Sequence, residues 1–498
     1  YKQALKIKPD YAEAYNNIGI ALKDKDDPEA AIDSYKQALK IKPNYAEAYY
    51  NMGVDLKDKG DTDAAIDSYK QALKIKPDYA EAYYNMGNAL NDKGDPEAAI
   101  GSFTQALKIK PNYADAYNNM GNALKDKGDL EAAIDSYKQA LKIKPDYAEA
   151  YYNIGVALND KGDTEAAIDS HQQALKIKPD YAEAYYNMGI AHLRRGNLDE
   201  GFKCHEWRLK MKKRPTAPAR INLIWDGEQS LSGKHFVVYE EQGLGDIIQF
   251  CRYLLVLEQK GADVTFKVRS SLHALLQTMD SKISLNTKLP KKNKIDFESP
   301  LMSLPLALKT TVETIPVQIP YLYTDDERKK QWNEKLGNKT VTRIGLVWSG
   351  STWHKNDHNR SLLLNQLISL LALPVEFHSL QKEVREIDLK TLTDFPKINQ
   401  HQDDLLDFSD TAALIDEMDL VISVDTAVAH LSGAMGKKTF ILLPYTPDYR
   451  WMLDRADSPW YPTMTLYRQK NRGDWVGVFN TIEQDLLSLL EQKKRTVT

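Results

Sequence analysis

The stretch YKQALKIKPDYAEAY, Tyr1 to Tyr15, returns from Tyr35, Tyr69 and Tyr137 and, with changes, from Phe103 and His171. The spacing is 34 residues, so the first part of the chain is one unit written repeatedly. Inside a unit, Tyr15, Ile18, Gly19 and Leu22 fall at steps of three and four and form one apolar helix face, and Ala31, Tyr35 and Ala38 do the same for a second helix. The small residues Gly19 and Ala31 let the two helices approach closely. Pro43, Pro77, Pro111, Pro145 and Pro179 stop each second helix and open the next unit. A helix pair of this size cannot bury its apolar face alone, so neighbouring pairs are predicted to stack into a superhelix.

The whole chain of 498 residues is too long for one ordinary domain. Apolar residues make up 42% and charged residues 27%, a globular balance, and the net charge of −4 argues against a nucleic-acid partner. Cys204 and Cys251 form no CxxC and support neither a disulfide framework nor a zinc site, which fits a cytoplasmic location. No run of about 18 apolar residues occurs, so no membrane span is expected. The chain begins inside a repeat and without Met, which reads as a piece of a longer array.

Residues 1–212 resemble the tetratricopeptide-repeat proteins, an α-solenoid family that implies an interaction scaffold. Asn17, Asn51, Asn85, Asn119, Asn153 and Asn187 occupy one site in successive repeats, on the helix that lines the concave face in this family. A primary amide both donates to and accepts from a peptide backbone. The column is similar to the asparagine ladder of the O-linked N-acetylglucosamine transferases, and it implies a protein or peptide acceptor on the concave face. The alternative is that each amide satisfies local hydrogen bonds. The last repeat departs from the pattern at Gly201 and Arg208, and Trp207 is expected to pack on the next domain. Residues 213–233 then read as a linker with a docking patch around Trp225.

From residue 234 the pattern changes to HFVVYEEQ, a strand, then GLGD, a loop, then the amphipathic helix IIQFCRYLLVLEQKG and a second strand, ADVTFKV. After the charged helix DDERKKQWNEKLG it restarts with TRIGLVWSG, VEFHSLQ, DLVISVD and KTFILLP. Alternating strands and helices predict parallel sheets in two α/β lobes, 234–323 and 340–475, with a hinge at 324–339. The C-terminal helix, 476–498, is placed as a segment crossing back to the first lobe. Ligands of such sheets sit beyond the carboxyl ends of the strands, so both lobes are expected to face a shared cleft.

The loop at Gly243 and Gly245 is not a dinucleotide fingerprint, because Ile248 stands where a third glycine is needed and Arg269, not an acidic residue, follows the next strand. Asp425 ends a strand, and Thr426 is placed to cap the helix AVAHLSGAMG, whose free N–H groups suit an anion. A plain helix cap beside a packed His430 fits the same residues.

The motifs QGLGDIIQF and DTAVAHLSGAMGKKT together resemble the GT-B glycosyltransferases, and among them the lipopolysaccharide heptosyltransferases of glycosyltransferase family 9. LPYTPDYRWMLDRADSPWYP resembles a subgroup often fused to tetratricopeptide repeats. The resemblance implies a nucleotide-diphosphate sugar as co-substrate, its base unknown, and no metal or other cofactor. It places Asp425, Thr426, Ala427 and His430 on the donor diphosphate, with Arg360 where the family usually has Lys. Ser379, Gln381 and Lys382 lie at a strand end facing the nucleotide. Asp246 is then the general base of an inverting transfer, with His354 and His358 as competitors for that role. Two alternatives are a non-catalytic scaffold with a degenerate transferase region and an enzyme acting on surface polysaccharide.

Overall fold

The computed structural model of the chain describes residues 1–211, 224–290, 295–353 and 356–497. It divides into two compact units, Tyr1–Asn187 and Met188–Thr498. No helix among the described residues is long and apolar enough to cross a membrane.

The first unit is a helical solenoid of paired helices, such as Ala46–Asp58 with Thr62–Ile75 and Ala80–Asp92 with Pro96–Ile109. Each second helix starts on an aspartate, from Asp27 to Asp163, whose carboxylate accepts the N–H three residues on. That bond satisfies one of the donors a helix start leaves open. Pairing inside a repeat depends on Gly19, Gly53, Gly87, Gly121 and Gly155. Each lies against the ring of Tyr35, Tyr69, Phe103, Tyr137 or His171, where a Cβ would collide. His171 is fully buried, and burial pushes its imidazole down to about 4, so it sits there as a neutral ring in place of Tyr or Phe. Between repeats, Lys59–Glu29 at 2.9 Å and Lys127–Glu97 at 3.0 Å recur at equivalent positions.

In the second unit two parallel sheets follow one another. The first holds β1 (His235–Tyr239), β2 (Asp263–Lys267), β3 (Ser284–Asn286) and β4 (Phe297–Pro300) in the order β3-β2-β1-β4. The second holds β5 (Arg343–Val347), β6 (Glu376–Ser379), β7 (Ile398–Asn399), β8 (Leu420–Val424), β9 (Thr439–Leu443) and β10 (Met464–Arg468) in the order β10-β9-β8-β5-β6-β7. One apolar cluster joins Leu198, Phe202 and Trp225 to Phe236 and Leu254 of the first sheet region and to Leu431, Trp451 and Trp460 of the second. The C-terminal helix, Trp475–Val497, does not cross back to the first lobe. Val478, Phe479, Ile482 and Leu486 pack with Ile344 and Phe377 of the second sheet region.

Arg208 anchors the end of the repeat array. Arg208 is 1% exposed and donates through Nε and Nη2 to both carboxylate oxygens of Glu241, at 3.2 and 2.8 Å, and also to Ser303 at 2.8 Å. Such a fork on a carboxylate is the strong form of the ion pair. Trp207 stays half-buried under the Lys210 ammonium, 3.7 Å from its ring centre.

Two glycines of one repeat give opposite predictions. Gly87→Ala places a Cβ 2.7 Å from the Phe103 ring and is expected to destabilise the protein by about 1–3 kcal/mol through overpacking. Gly101→Ala meets nothing within 4 Å on an exposed helix and is expected to stabilise by about 0.5–1 kcal/mol. Urea unfolding followed by circular dichroism reads both, and a Gly87→Ala protein as stable as wild type would contradict the packing described.

Candidate functional site

The site grows from β8, whose five residues are all buried and which is followed directly by Asp425. Thr426 has extended backbone and caps the helix Ala427–Ala434, accepting the Ala429 N–H at 3.5 Å. The Arg360 guanidinium reaches this turn from the loop after β5 and donates to the Asp425 carbonyl at 2.8 Å. Arg360 is steadied by Asp357, which is itself held by Arg385 and Ser361.

The first sheet contributes a second helix start. Asp246 lies in the first turn of the helix Leu244–Phe250 and accepts the Gly243 N–H at 2.7 Å. Its other carboxylate oxygen is paired with Arg450, a residue of the turn after β9. Gly245 lets the two helix starts meet, because a Cβ there would lie 2.9 Å from His430 Cδ2 and 3.5 Å from Ala427 Cα. Two positive helix ends and two arginines therefore converge, and Asp246, Asp425 and Asp448 supply the countercharge. Burial raises the Asp246 and Asp425 carboxyls above the usual range, Asp448 adding to the rise at Asp425, while arginines pull both down. Asp448 itself is held low by Arg450, whose Nη1 donates to it at 2.7 Å.

His430 is buried and wedged, not extended into a cleft. Its ring stacks on Trp451, with centroids 5.3 Å apart, and Nδ1 lies 3.1 Å from the Tyr461 hydroxyl. Burial, then Arg450, push its imidazole down to about 3, so the 3.8 Å approach of Nε2 to Asp425 is a neutral contact and not an ion pair.

The remaining sequence candidates separate. Gln381 does not present its amide outward. Its Oε1 accepts the N–H groups of Trp348 and Ser349 at 2.7 and 2.8 Å, and Nε2 donates to Ser349 Oγ, so it shapes the loop after β5. Ser379 is fully buried, and Lys382 donates to the Gln402 carbonyl at 2.9 Å. His358 is exposed, and His354 lies outside the described residues. Among the described residues no group of three His, Cys, Asp or Glu side chains is arranged to hold a metal ion.

In the solenoid the asparagine column is already in use. Asn51 and Asn153 donate at 3.0 Å to Asn16 and Asn118 of the preceding repeat, and Asn85, Asn119 and Asn187 donate to Tyr50, Tyr84 and Tyr152. Asn17 holds the equivalent place on the helix Ala12–Lys23. A bound peptide has to add to these inter-repeat ties or exchange with them.

Sequence reasoning passed over Arg450, Asp448 and Tyr461. The available signal was an Asp-x-Arg turn just beyond the carboxyl end of an apolar strand, the usual place for ligand groups. A groove of about 470 Å³, lined in part by Gly227, Arg252, Lys260 and Lys309, opens elsewhere on the first lobe and includes none of these residues.

Six overlapping segments between residues 1 and 196 match the description TPR repeat. Residues 405–474 match Glycosyltransferase family 9 (heptosyltransferase). The chain thus joins segments that match tetratricopeptide repeats to one that matches glycosyltransferase family 9. That segment contains Asp425, Thr426, His430, Asp448 and Arg450, whereas Asp246 and Arg360 lie before it. Protein FlbA of Caulobacter vibrioides is 25% identical over 278 residues, which are 50% of this chain and 46% of that protein, so the chain spans about half the length of this curated relative. Among solved structures, MamA protein is 32% identical, covering 34% of this chain and 94% of that one with a TM-score of 0.32. YrrB, described as a TPR protein with an unusual peptide-binding site, is 26% identical, covering 37% and 94% with a TM-score of 0.34.

The neutral His430 has a consequence for stability. The unfolded chain takes up a proton near the ordinary value of 6.5, but the folded protein does so only near 3. Stability from this group is therefore present above pH 6.5 and is lost as pH falls toward 3, at about 1.4 kcal/mol per pH unit. Replacing His430→Gln is expected to remove about one proton from the pH dependence of unfolding between pH 6 and 4. An unchanged slope would show that His430 titrates normally in the folded state.

Proposed function

We propose that the α/β region is an inverting GT-B glycosyltransferase that uses a nucleotide-diphosphate sugar without a metal ion, and that the repeats recruit a protein or peptide acceptor to it. The observation that carries this reading is the convergence of Asp246, on the first lobe's helix Leu244–Phe250, on the helix start Asp425-Thr426-Ala427 of the second, with Arg450 paired to Asp246 and Arg360 on the Asp425 carbonyl. A diphosphate at that helix start meets free N–H groups and guanidinium charge. In the transfer, an acceptor hydroxyl oxygen bonds to the anomeric carbon and the carbon–oxygen bond to the diphosphate breaks. The electron pair leaves on the phosphate oxygen, and Asp246 takes the hydroxyl proton from the opposite face. In this reading the arginines, rather than a metal ion, neutralise the leaving charge. Base recognition falls to the loops after β5 and β6, which Gln381 holds in shape. The buried free thiols of Cys204 and Cys251 suit a cytoplasmic location.

One observation favours a second reading, a non-catalytic scaffold: the Asp246 carboxylate is occupied by Arg450 and by the Gly243 amide. Turnover separates the two. The protein is incubated with a panel of nucleotide sugars and peptides in EDTA, and released nucleoside diphosphate is measured. One nucleotide sugar is expected to be consumed, and Asp246→Asn is expected to slow its consumption by about 10²–10⁴-fold. Release that needs added magnesium would overturn metal independence, and no release from any sugar would favour the scaffold.

A further inference from the structure

We propose that Arg450 is a donor-sensing positioning residue: it holds Asp246 while the donor site is empty, and a nucleotide diphosphate draws its guanidinium away and releases Asp246. The inference rests on reading the site as one for a nucleotide-diphosphate sugar, and it adds an order of events to that reading.

Arg450 is only 8% exposed and lies in the single 3-10 turn Tyr449–Trp451. Its two terminal nitrogens are divided between carboxylates of different origin. Nη1 goes to Asp448, two residues earlier on the same turn, and Nη2 goes to Asp246, 204 residues away on the first lobe. Nε is buried and has no hydrogen-bond partner among the described residues. A buried guanidinium with an unused donor is an incomplete arrangement, since such groups normally bond every N–H. The Tyr449 ring lies 4.4 Å and the Phe250 ring 5.9 Å from its central carbon, so the planar group has flat walls along which to shift.

A diphosphate at the Ala427 helix start competes for this guanidinium with two advantages over Asp246. It carries more negative charge, and its oxygens suit the bidentate fork of Arg, leaving Asp448 as the fixed local partner. When the fork leaves, Asp246 loses its largest source of stabilised charge while its burial and the nearby Asp448 and Glu241 remain. A carboxylate so released is the stronger base. The pair therefore keeps Asp246 unreactive until the donor is seated, which protects the sugar from attack before the acceptor hydroxyl is in place.

Linkage makes the idea testable without turnover. If Arg450 must leave Asp246 to reach the phosphate, then removing the Asp246 charge helps the ligand. Titration calorimetry in EDTA with ADP, UDP, GDP, CDP and dTDP in turn measures this for wild type, Asp246→Asn, Arg450→Gln and the double variant. Thermal melting checks that each is folded, and Arg450→Lys, which keeps charge but not the fork, replaces Arg450→Gln if that variant does not fold. Asp246→Asn is expected to bind the selected diphosphate about 5- to 150-fold more tightly than wild type, the usual range of a coupling between sites. Arg450→Gln is expected to weaken binding and to abolish the effect of Asp246→Asn. A structural ion pair predicts instead that Asp246→Asn leaves affinity unchanged or lowers it, and that result with a binding wild type would overturn the inference alone. Failure of wild type and every variant to bind any of the five would overturn the inference together with the site reading beneath it.

Discussion

The α/β region is organised around the meeting of two helix starts, Leu244–Phe250 from the first sheet and Ala427–Ala434 from the second, at Gly245. Helix N-termini carry partial positive charge and open N–H groups, so bringing two of them together is unfavourable without countercharge. Three carboxylates answer that need. Asp246 serves its own helix, Asp425 precedes the other, and Asp448 anchors the arginine between them. The same arrangement is what the proposed polyanion site relies on, because the charge is balanced by groups that can exchange partners.

Buried arginines fasten this region in three ways. Arg208 forks onto Glu241 and ties the last repeat to the first sheet. Arg252 has no carboxylate among its hydrogen-bond partners. It donates to the carbonyls of Gln249, Pro316 and Trp460 and to the Tyr321 hydroxyl, and lies 4.7 Å from the rings of Tyr321 and Tyr461. Each of its nitrogens is bonded, and the bonds to Pro316 and Trp460 bridge the lobes. Arg450 has one nitrogen unbonded and an ion pair that joins the turn after β9 to the helix Leu244–Phe250.

Legibility in the sequence followed the range of the interaction. The solenoid was readable because each repeat carries its own period, its Asp cap and its glycine-aromatic pair within 34 residues. The longer strands, such as β1, β5, β8 and β9, were readable as apolar runs. β3, β4 and β7 were not, since two to four residues carry little periodic signal, nor was β10, which is as long as β1 but of mixed polarity. In the site, Asp246, Asp425, Thr426 and His430 stood out as motif residues at strand ends. Arg450 did not, because its meaning depends on a partner 204 residues away. The asparagine column was visible as a recurrence, but a linear pattern cannot say that its amides bond the preceding repeat. Gln381 likewise looked like a ligand group from its place at a strand end, whereas its neighbours take up its amide.

The proposed site at the junction of the two helix starts takes the phosphates of a nucleotide diphosphate. A structure of the protein with the nucleoside diphosphate it binds tests this most directly. The account predicts phosphate oxygens within hydrogen-bond distance of the Ala427 and Val428 amides and of the Arg360 guanidinium. A diphosphate seated elsewhere, for instance in the groove beside Lys260 and Lys309, with the Asp425 turn unchanged, would contradict it.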